Sequence, residues 1–154
     1  MRVIFLVALM FATSPAFSND LTGNWKLISF QTIYDNDPTP KDMYGASPKG
    51  FLNMSSDGRM IAIITGEGRK AGNSDAERAA LHKSLIAYTG KYRISGDEFI
   101  TTVDASWNEA WNGSEQKRKY KIEGDRLIID SAPGPSVLFP DRTSFARLVW
   151  QRDK

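Results

Sequence analysis

The sequence contains no cysteine. Disulfides, thiol nucleophiles and lipid-anchoring cysteines are therefore excluded. Histidine is almost as scarce. His82 stands alone, so neither a multi-histidine zinc site nor a two-histidine iron triad can be assembled. Blocks of like charge are short, the longest being Lys117-Arg118-Lys119. Twenty Lys and Arg against 18 Asp and Glu leave a net charge of +2. That balance excludes a nucleic-acid binder working by phosphate neutralisation and argues against an electrostatic membrane patch. Only one long hydrophobic run exists, Val3 to Ala12, and its ten residues are too few to span a bilayer as a stable helix.

That run has the grammar of a secretion signal. Arg2 supplies the n-region charge, and Ala16-Phe17-Ser18 places small residues at the two positions a signal peptidase reads. Residues 1–18 are expected to be a signal peptide, leaving residues 19–154 as one exported domain, periplasmic or secreted. Only Arg2 is lost on cleavage, so the net charge falls by one to +1. An uncleaved anchor is the alternative; after cleavage no integral membrane span is expected.

What is present is a core-forming composition, 41% apolar and 11% aromatic, well outside the range of disordered chains. Beyond Asp20, short period-two segments separated by turn signals predict eight strands. They are Asn24–Tyr34, Gly50–Met54, Arg59–Thr65, Tyr88–Ile94, Glu98–Ser106, Gln116–Ile122, Arg126–Asp130 and Ser144–Arg152. One helix, Asp75 to Ala87, is expected between the third and fourth. Ser74-Asp75-Ala76-Glu77 forms its capping box, and Leu81, Leu85 and Tyr88 form an apolar stripe.

Two segments echo each other, Lys91-Tyr92-Arg93-Ile94-Ser95-Gly96-Asp97 and Lys119-Tyr120-Lys121-Ile122-Glu123-Gly124-Asp125. Each reads as a strand running into a tight Gly-Asp hairpin, and Ser56-Asp57-Gly58 makes a third. Tight and long connections therefore alternate strictly along the chain. In an up-and-down antiparallel barrel this puts every tight turn at one end and every long loop at the other. The result is a cup with a closed floor and an elaborate mouth, large enough at eight strands for one small ligand. A β-sandwich, the competing architecture, has no need of that alternation.

Gly23-Asn24-Trp25 opens the first strand and Trp150-Gln151-Arg152 closes the last. A Gly-x-Trp with a terminal arginine resembles the lipocalins, and the resemblance implies that Arg152 lies over Trp25 at the closed end. The chain is similar more specifically to the bacterial and fungal lipocalin-like domain family. Leu21-Thr22-Gly23-Asn24-Trp25-Lys26-Leu27, Ser47-Pro48-Lys49-Gly50-Phe51-Leu52 and Asp57-Gly58-Arg59-Met60 carry the likeness. So do Asp75-Ala76-Glu77-Arg78-Ala79-Ala80-Leu81, Tyr88-Thr89-Gly90-Lys91-Tyr92, Ser106-Trp107-Asn108-Glu109-Ala110-Trp111, Gly124-Asp125-Arg126-Leu127 and Leu148-Val149-Trp150. The resemblance implies an all-β, eight-stranded barrel; it names no ligand and no reaction. Where members often carry a histidine, this chain has Thr101-Thr102, so no proton-transfer role of such a histidine is carried over.

Strand parity predicts the interior. Three lysines, Lys117, Lys119 and Lys121, must face water, which turns Gln116, Arg118, Tyr120 and Ile122 inward. Ala146, Leu148, Trp150 and Arg152 are inward in the last strand, with Arg147 and Gln151 outside. With Trp25 inward, Leu27, Ser29, Gln31 and Ile33 follow. Tyr92 and Ile94 match Tyr120 and Ile122. Phe99, Thr101, Val103 and Ala105 fit the interior, with Asp104 outside unless a bulge inverts that half. The floor residues are then Gly23, Trp25, Trp150 and Arg152, beside Leu27, Ile94 and Ile122. Candidate ligand-binding residues are Arg118, Tyr120, Tyr92, Gln116 and Gln31, with Tyr44, Trp107, Trp111 and Phe139 on the mouth loops. A loop tryptophan folded onto its own barrel is the alternative for those aromatics.

Other features have plain readings. Gly66-Glu67-Gly68-Arg69-Lys70 lacks the spacing of a phosphate loop and reads as a solvated turn. Asn112-Gly113-Ser114 is a glycosylation pattern that matters only in a eukaryotic secretory pathway. His82 is a surface residue or a base. No metal and no cofactor is implied. The expected partner is a small apolar or amphipathic molecule, with or without an anionic end, and a monomer and a dimer both remain open. Two further readings stand beside this one. A cofactor-free isomerase, cyclase or dehydratase would use Tyr92, Tyr120 and Arg118, and an interaction module would use the aromatic loops.

Overall fold

The computed structural model describes residues 20–135 and 141–153. Residues 1–18, assigned to the signal, and Phe139 lie outside the described residues. The elements are β1 (Gly23–Tyr34), β2 (Asp37–Asp42), β3 (Lys49–Met54), β4 (Arg59–Thr65), α1 (Asp75–Lys83), β5 (Leu85–Ser95) and β6 (Glu98–Ser106). After a single 3-10 turn at Glu109–Trp111 come β7 (Glu115–Glu123), β8 (Arg126–Ser131), β9 (Gly134–Pro135) and β10 (Thr143–Arg152). Strands β1, β3, β4, β5, β6, β7, β8 and β10 follow one another around an antiparallel sheet, and β10 pairs back onto β1 to close it. The sandwich alternative is thereby removed.

Two small strands lie in loops that the sequence left unstructured. β3 pairs only with Gly23 to Lys26, which frees the upper edge of β1, and β2 pairs along that edge at Gln31, Thr32 and Tyr34. β9 covers Thr143 and Ser144. The helix is shorter than expected. Its capping box forms, with Ser74 Oγ accepting from the Glu77 amide and the Glu77 carboxylate accepting from the Ser74 amide. It ends at Lys83, however, and Leu85 and Tyr88 belong to β5. None of its residues is buried. Ile86 and Tyr88 instead pair with Ile64 and Ala62 in a ladder that buries them against the barrel. Arg69 closes the helix by donating to the Leu81 and Ser84 carbonyls at 2.6 and 2.8 Å, satisfying acceptors that a helix end leaves open.

The closed end is built around Trp25, which is fully buried. Its indole donates to the Leu21 carbonyl at 3.0 Å, and the Arg152 guanidinium lies 4.1 Å above the ring. Arg152 also donates to the Thr22 and Asp20 carbonyls at 2.9 and 2.8 Å, tying the entry of the chain to its exit. Gly23 adopts φ 125°, and a Cβ there would sit 3.0 Å from Arg152 Nη1. The glycine of the Gly-x-Trp pattern is thus required by both backbone and space. Ile94 is a correction: it is exposed, because the β4 pairing ends at Lys91 and β5 continues beyond it paired with β6 alone.

Two irregularities decide which residues face the interior. The register of β1 against β10 shifts between Leu27 and Ser29. Beyond it Phe30, Thr32 and Tyr34 are buried and Ser29, Gln31 and Ile33 are turned outward, the reverse of the parity expectation. In β6, Thr89 pairs with Ala105 and Gly90 with Val103, so Asp104 is the extra residue of a bulge. Val103 is buried while Ala105 is exposed, which corrects the placement of Ala105. Gly90 makes the bulge possible, since a Cβ there would come within 2.0 Å of the Thr102 carbonyl oxygen. Such bulges supply the bend that closing a barrel requires.

Candidate functional site

Above the floor the barrel encloses a cavity of about 250 Å³. Trp150, Leu52, Met60 and Phe99 bound it below, and Ala62, Ile64, Ile129 and Leu148 form its walls. Towards the mouth it is edged by Phe30, Ile86, Tyr88, Trp111, Arg118, Ser131 and Ala146. The lining is overwhelmingly apolar with a few polar groups, the usual form of a small-molecule site.

The polar side of the mouth is a connected assembly. Ser114 Oγ donates to the Trp111 carbonyl at 2.7 Å, and Gln116 Nε2 donates to Ser114 Oγ at 3.0 Å. Gln116 Oε1 then accepts from Arg118 Nη2 at 3.0 Å, while Arg118 Nη1 donates to the Lys117 carbonyl at 2.8 Å. The guanidinium carbon stands 5.8 Å from the centre of the Trp111 ring. Trp111 in turn meets Tyr88 edge-on at 5.4 Å and Trp107 at 4.8 Å. Arg118 is therefore held in position by Gln116 and the Trp111 loop before any ligand arrives. Among the described residues it has no carboxylate partner. Asp104, the internal counter-ion that β6 could have offered, points outward and pairs with Arg59 at 2.7 Å.

Of the residues expected to bind a ligand, Arg118 and Trp111 line the cavity. Gln116 and Trp107 stand behind them. Tyr44 backs Phe30, edge-on at 5.1 Å, with its hydroxyl donating to the Lys83 carbonyl at 3.3 Å. Tyr120 packs against Phe99 at 6.2 Å below the cavity, and Tyr92 donates to the Ser55 carbonyl at 3.0 Å near the floor. Neither tyrosine lines the cavity, so the acids that a catalytic reading would use are not at its surface. Gln31 is turned away by the β1 bulge and donates to Asp42 on β2 at 3.0 Å. His82 contacts the Trp107 carbonyl at 3.2 Å outside the barrel.

Tyr88 was expected at the head of the fourth strand but was not counted among the cavity residues. The alternation of Ile86 and Tyr88 within a β-branched and aromatic stretch is the signal that carries the strand back over Leu85 to Ala87. Burial pushes the Tyr88 phenol above the ordinary value of 10.0, an effect the Arg118 charge partly offsets. Two further polar atoms, Trp150 Nε1 and Thr101 Oγ1, are buried without a hydrogen-bond partner among the described residues. No three His, Cys, Asp or Glu side chains converge as a metal site among the described residues, and no helix there is long and apolar enough to cross a membrane.

Comparison with known proteins gives one family. The lipocalin-like domain matches residues 22–153. No curated protein matches the sequence. Among solved structures the barrel is similar to an uncharacterized protein from Bacteroides eggerthii DSM 20697, at 15% identity and a TM-score of 0.46, covering 87% of this chain and 100% of that one.

Proposed function

The chain belongs to the lipocalin-like domain family, and from that premise we propose that its barrel binds a small, mostly apolar molecule whose anionic or carbonyl end is read by Arg118. One observation carries the reading: a guanidinium on the wall of an apolar cavity, oriented by Gln116 and Trp111, with no carboxylate partner among the described residues. Arg118 is half-buried at the mouth and two of its N–H groups are already engaged, which fixes the direction in which the rest of the fork points. The planar fork suits a carboxylate or another acidic oxygen pair. Export belongs to the same proposal and is supported by the apolar run and the Ala16-Phe17-Ser18 pattern that follows it.

The test compares two probes of one length by titration calorimetry, heptanoate and 1-heptanol. A charge-assisted hydrogen bond is worth about 1.5–3 kcal/mol, so the acid is expected to bind at least about tenfold tighter than the alcohol. Equal affinities would remove Arg118 as the reader of an anionic end.

A further inference from the structure

The cavity is too shallow for its volume to be filled by a straight chain. The side chains beneath it are closed off: Met60 is 0%, Phe99 and Trp150 are 1% and Leu52 is 2% exposed. The lining that keeps accessible surface lies higher, around Arg118, in the half-buried Tyr88, Trp111, Ser131, Ala146 and Leu148. Ala146 and Leu148 are successive inward residues of β10, and below them Trp150 ends the space. Two inward positions make a wall about 7 Å high along the strand, and less along the barrel axis because the strands tilt. An extended chain of single bonds advances about 1.2 Å per bond, so about six bonds use up that depth. The cavity volume of about 250 Å³ holds about eight to ten non-hydrogen atoms, scaling from the space a water or a benzene molecule occupies. A straight acid of that many atoms is too long for the depth, whereas the same atoms closed into a ring fit both.

The walls suit a ring. Around the closed sheet, β5 and β10 stand four strands apart in either direction, and β7 lies midway between them on one side. Tyr88 on β5, met edge-on by Trp111 at 5.4 Å, therefore faces Ala146 and Leu148 on β10 across the cavity. Arg118 on β7 stands between the two walls, its guanidinium carbon 5.8 Å from the centre of the Trp111 ring. A carboxylate held by Arg118 has its next few atoms beside Trp111 and Tyr88, and the small side chains of Ala146 and Ser131 leave the room opposite. Aromatic rings that meet edge to face gain more than the burial of their area.

We propose that the occupant is a compact aromatic monocarboxylate, with its acid group on the ring or one carbon from it, held by Arg118 and the wall of Trp111 and Tyr88. This rests on the reading of Arg118 given above and names the body of the ligand. The long acyl chains of membrane lipids are excluded by the depth of the cavity.

The experiment titrates three acids of eight carbons, phenylacetate, cyclohexylacetate and octanoate, into wild type, Trp111→Leu and Arg118→Met by calorimetry. Burial alone ranks octanoate first, since it brings the most apolar area. Each methylene that a shallow cavity leaves in water forfeits about fourfold, so both ring acids are expected to bind at least about fourfold tighter than octanoate. Phenylacetate should exceed cyclohexylacetate by about two- to tenfold, the range for one aromatic pair. Trp111→Leu should remove that last preference; Trp111 also orients Arg118, so a common loss falls on all three acids and the ratio is the readout. Arg118→Met should weaken all three by one factor and preserve their order. Octanoate binding as tightly as the ring acids overturns the compact ligand, and dependence on Arg118 in the same titrations leaves the anionic reading standing. Equal affinity for the two ring acids overturns the aromatic contact. Affinities indifferent to Arg118→Met overturn the anionic end, and with it the placement against Trp111, by a separate signature. Binding of none of the three acids at millimolar concentration overturns the proposal outright. The wild-type ranking needs no variant, so it decides even if Trp111→Leu fails to fold.

Discussion

Replacing Arg118 by methionine should separate stability from binding, because the structure removes the partner that would have coupled them. Had Arg118 neutralised Asp104, the substitution would strand a buried carboxylate at a cost of about 3–5 kcal/mol. Asp104 is instead outside the barrel on Arg59. What Arg118→Met gives up is the hydrogen bond to Gln116, a backbone contact at Lys117 and the stacking on Trp111. The stacking is worth about 0.5–1 kcal/mol at a partly exposed site, and the apolar contact that methionine makes with the same wall offsets it. Net stability should stay within about 1 kcal/mol of wild type, a melting shift of at most about 4 °C for a domain of this size. Heptanoate affinity should fall by about 10- to 100-fold, the loss of one charged contact. Thermal melts and calorimetry on the same preparations read both quantities. A melting point lowered by about 12 °C, the equivalent of about 3 kcal/mol, would reveal an internal counter-ion. Unchanged affinity in a folded variant would refute the binding role.

The floor should behave as structure, not as site. Trp25→Ala should lose about 3–5 kcal/mol in urea unfolding, through lost burial of a fully enclosed ring that also anchors Arg152; a smaller loss would mean that the closed end does not hold the barrel together. Tyr88 predicts an alkaline limit. Burial raises its phenol above the unfolded value of 10.0, so the folded state binds the proton more tightly. The associated stability is complete below about pH 10 and declines as pH rises through the folded value. Tyr88→Phe should lessen that decline in urea melts, and an unaltered profile would show that Tyr88 ionises freely. Export predicts an N-terminus at Asn19 on protein recovered outside the cytoplasm. Sequencing that finds Met1 on exported protein, or protein found only in the cytosol, contradicts it.

The barrel was legible because connection length is a global signal. Tight turns at Ser56-Asp57-Gly58, Gly96-Asp97 and Gly124-Asp125 need particular backbone geometry, and glycine announces it; Gly58, Gly96 and Gly124 all adopt positive φ. The floor was legible for a similar reason. Gly23, Trp25 and Arg152 are unusual residues in fixed places, and each is demanded by a specific contact. The helix start was equally plain from its capping box, but its end was not. Leu85 and Tyr88 satisfy helical spacing and strand alternation alike, and pairing with β4 decided between them.

The mouth was far less legible, and the reason is physical. Inward and outward positions were assigned by counting in twos, which holds only while a strand stays regular. Both bulges, after Leu27 and at Asp104, fall between the regular floor and the mouth, where the sheet must bend to close. Each inverts what lies above it, so Gln31, Ser29 and Ala105 were assigned to the wrong face while Trp25, Leu27, Phe99 and Val103 below the bulges were placed correctly. The better signal in β1 is the phase of the large apolar residues. Trp25 and Leu27 share one parity and Phe30 and Tyr34 the other, and the change of phase at Ile28 marks the bulge itself. Strand β7 has no such break in its register with β8. The alternation of its three lysines therefore carried through to Arg118, which is why the one charged group on the cavity wall among the described residues could be found from the sequence while most of its expected companions could not.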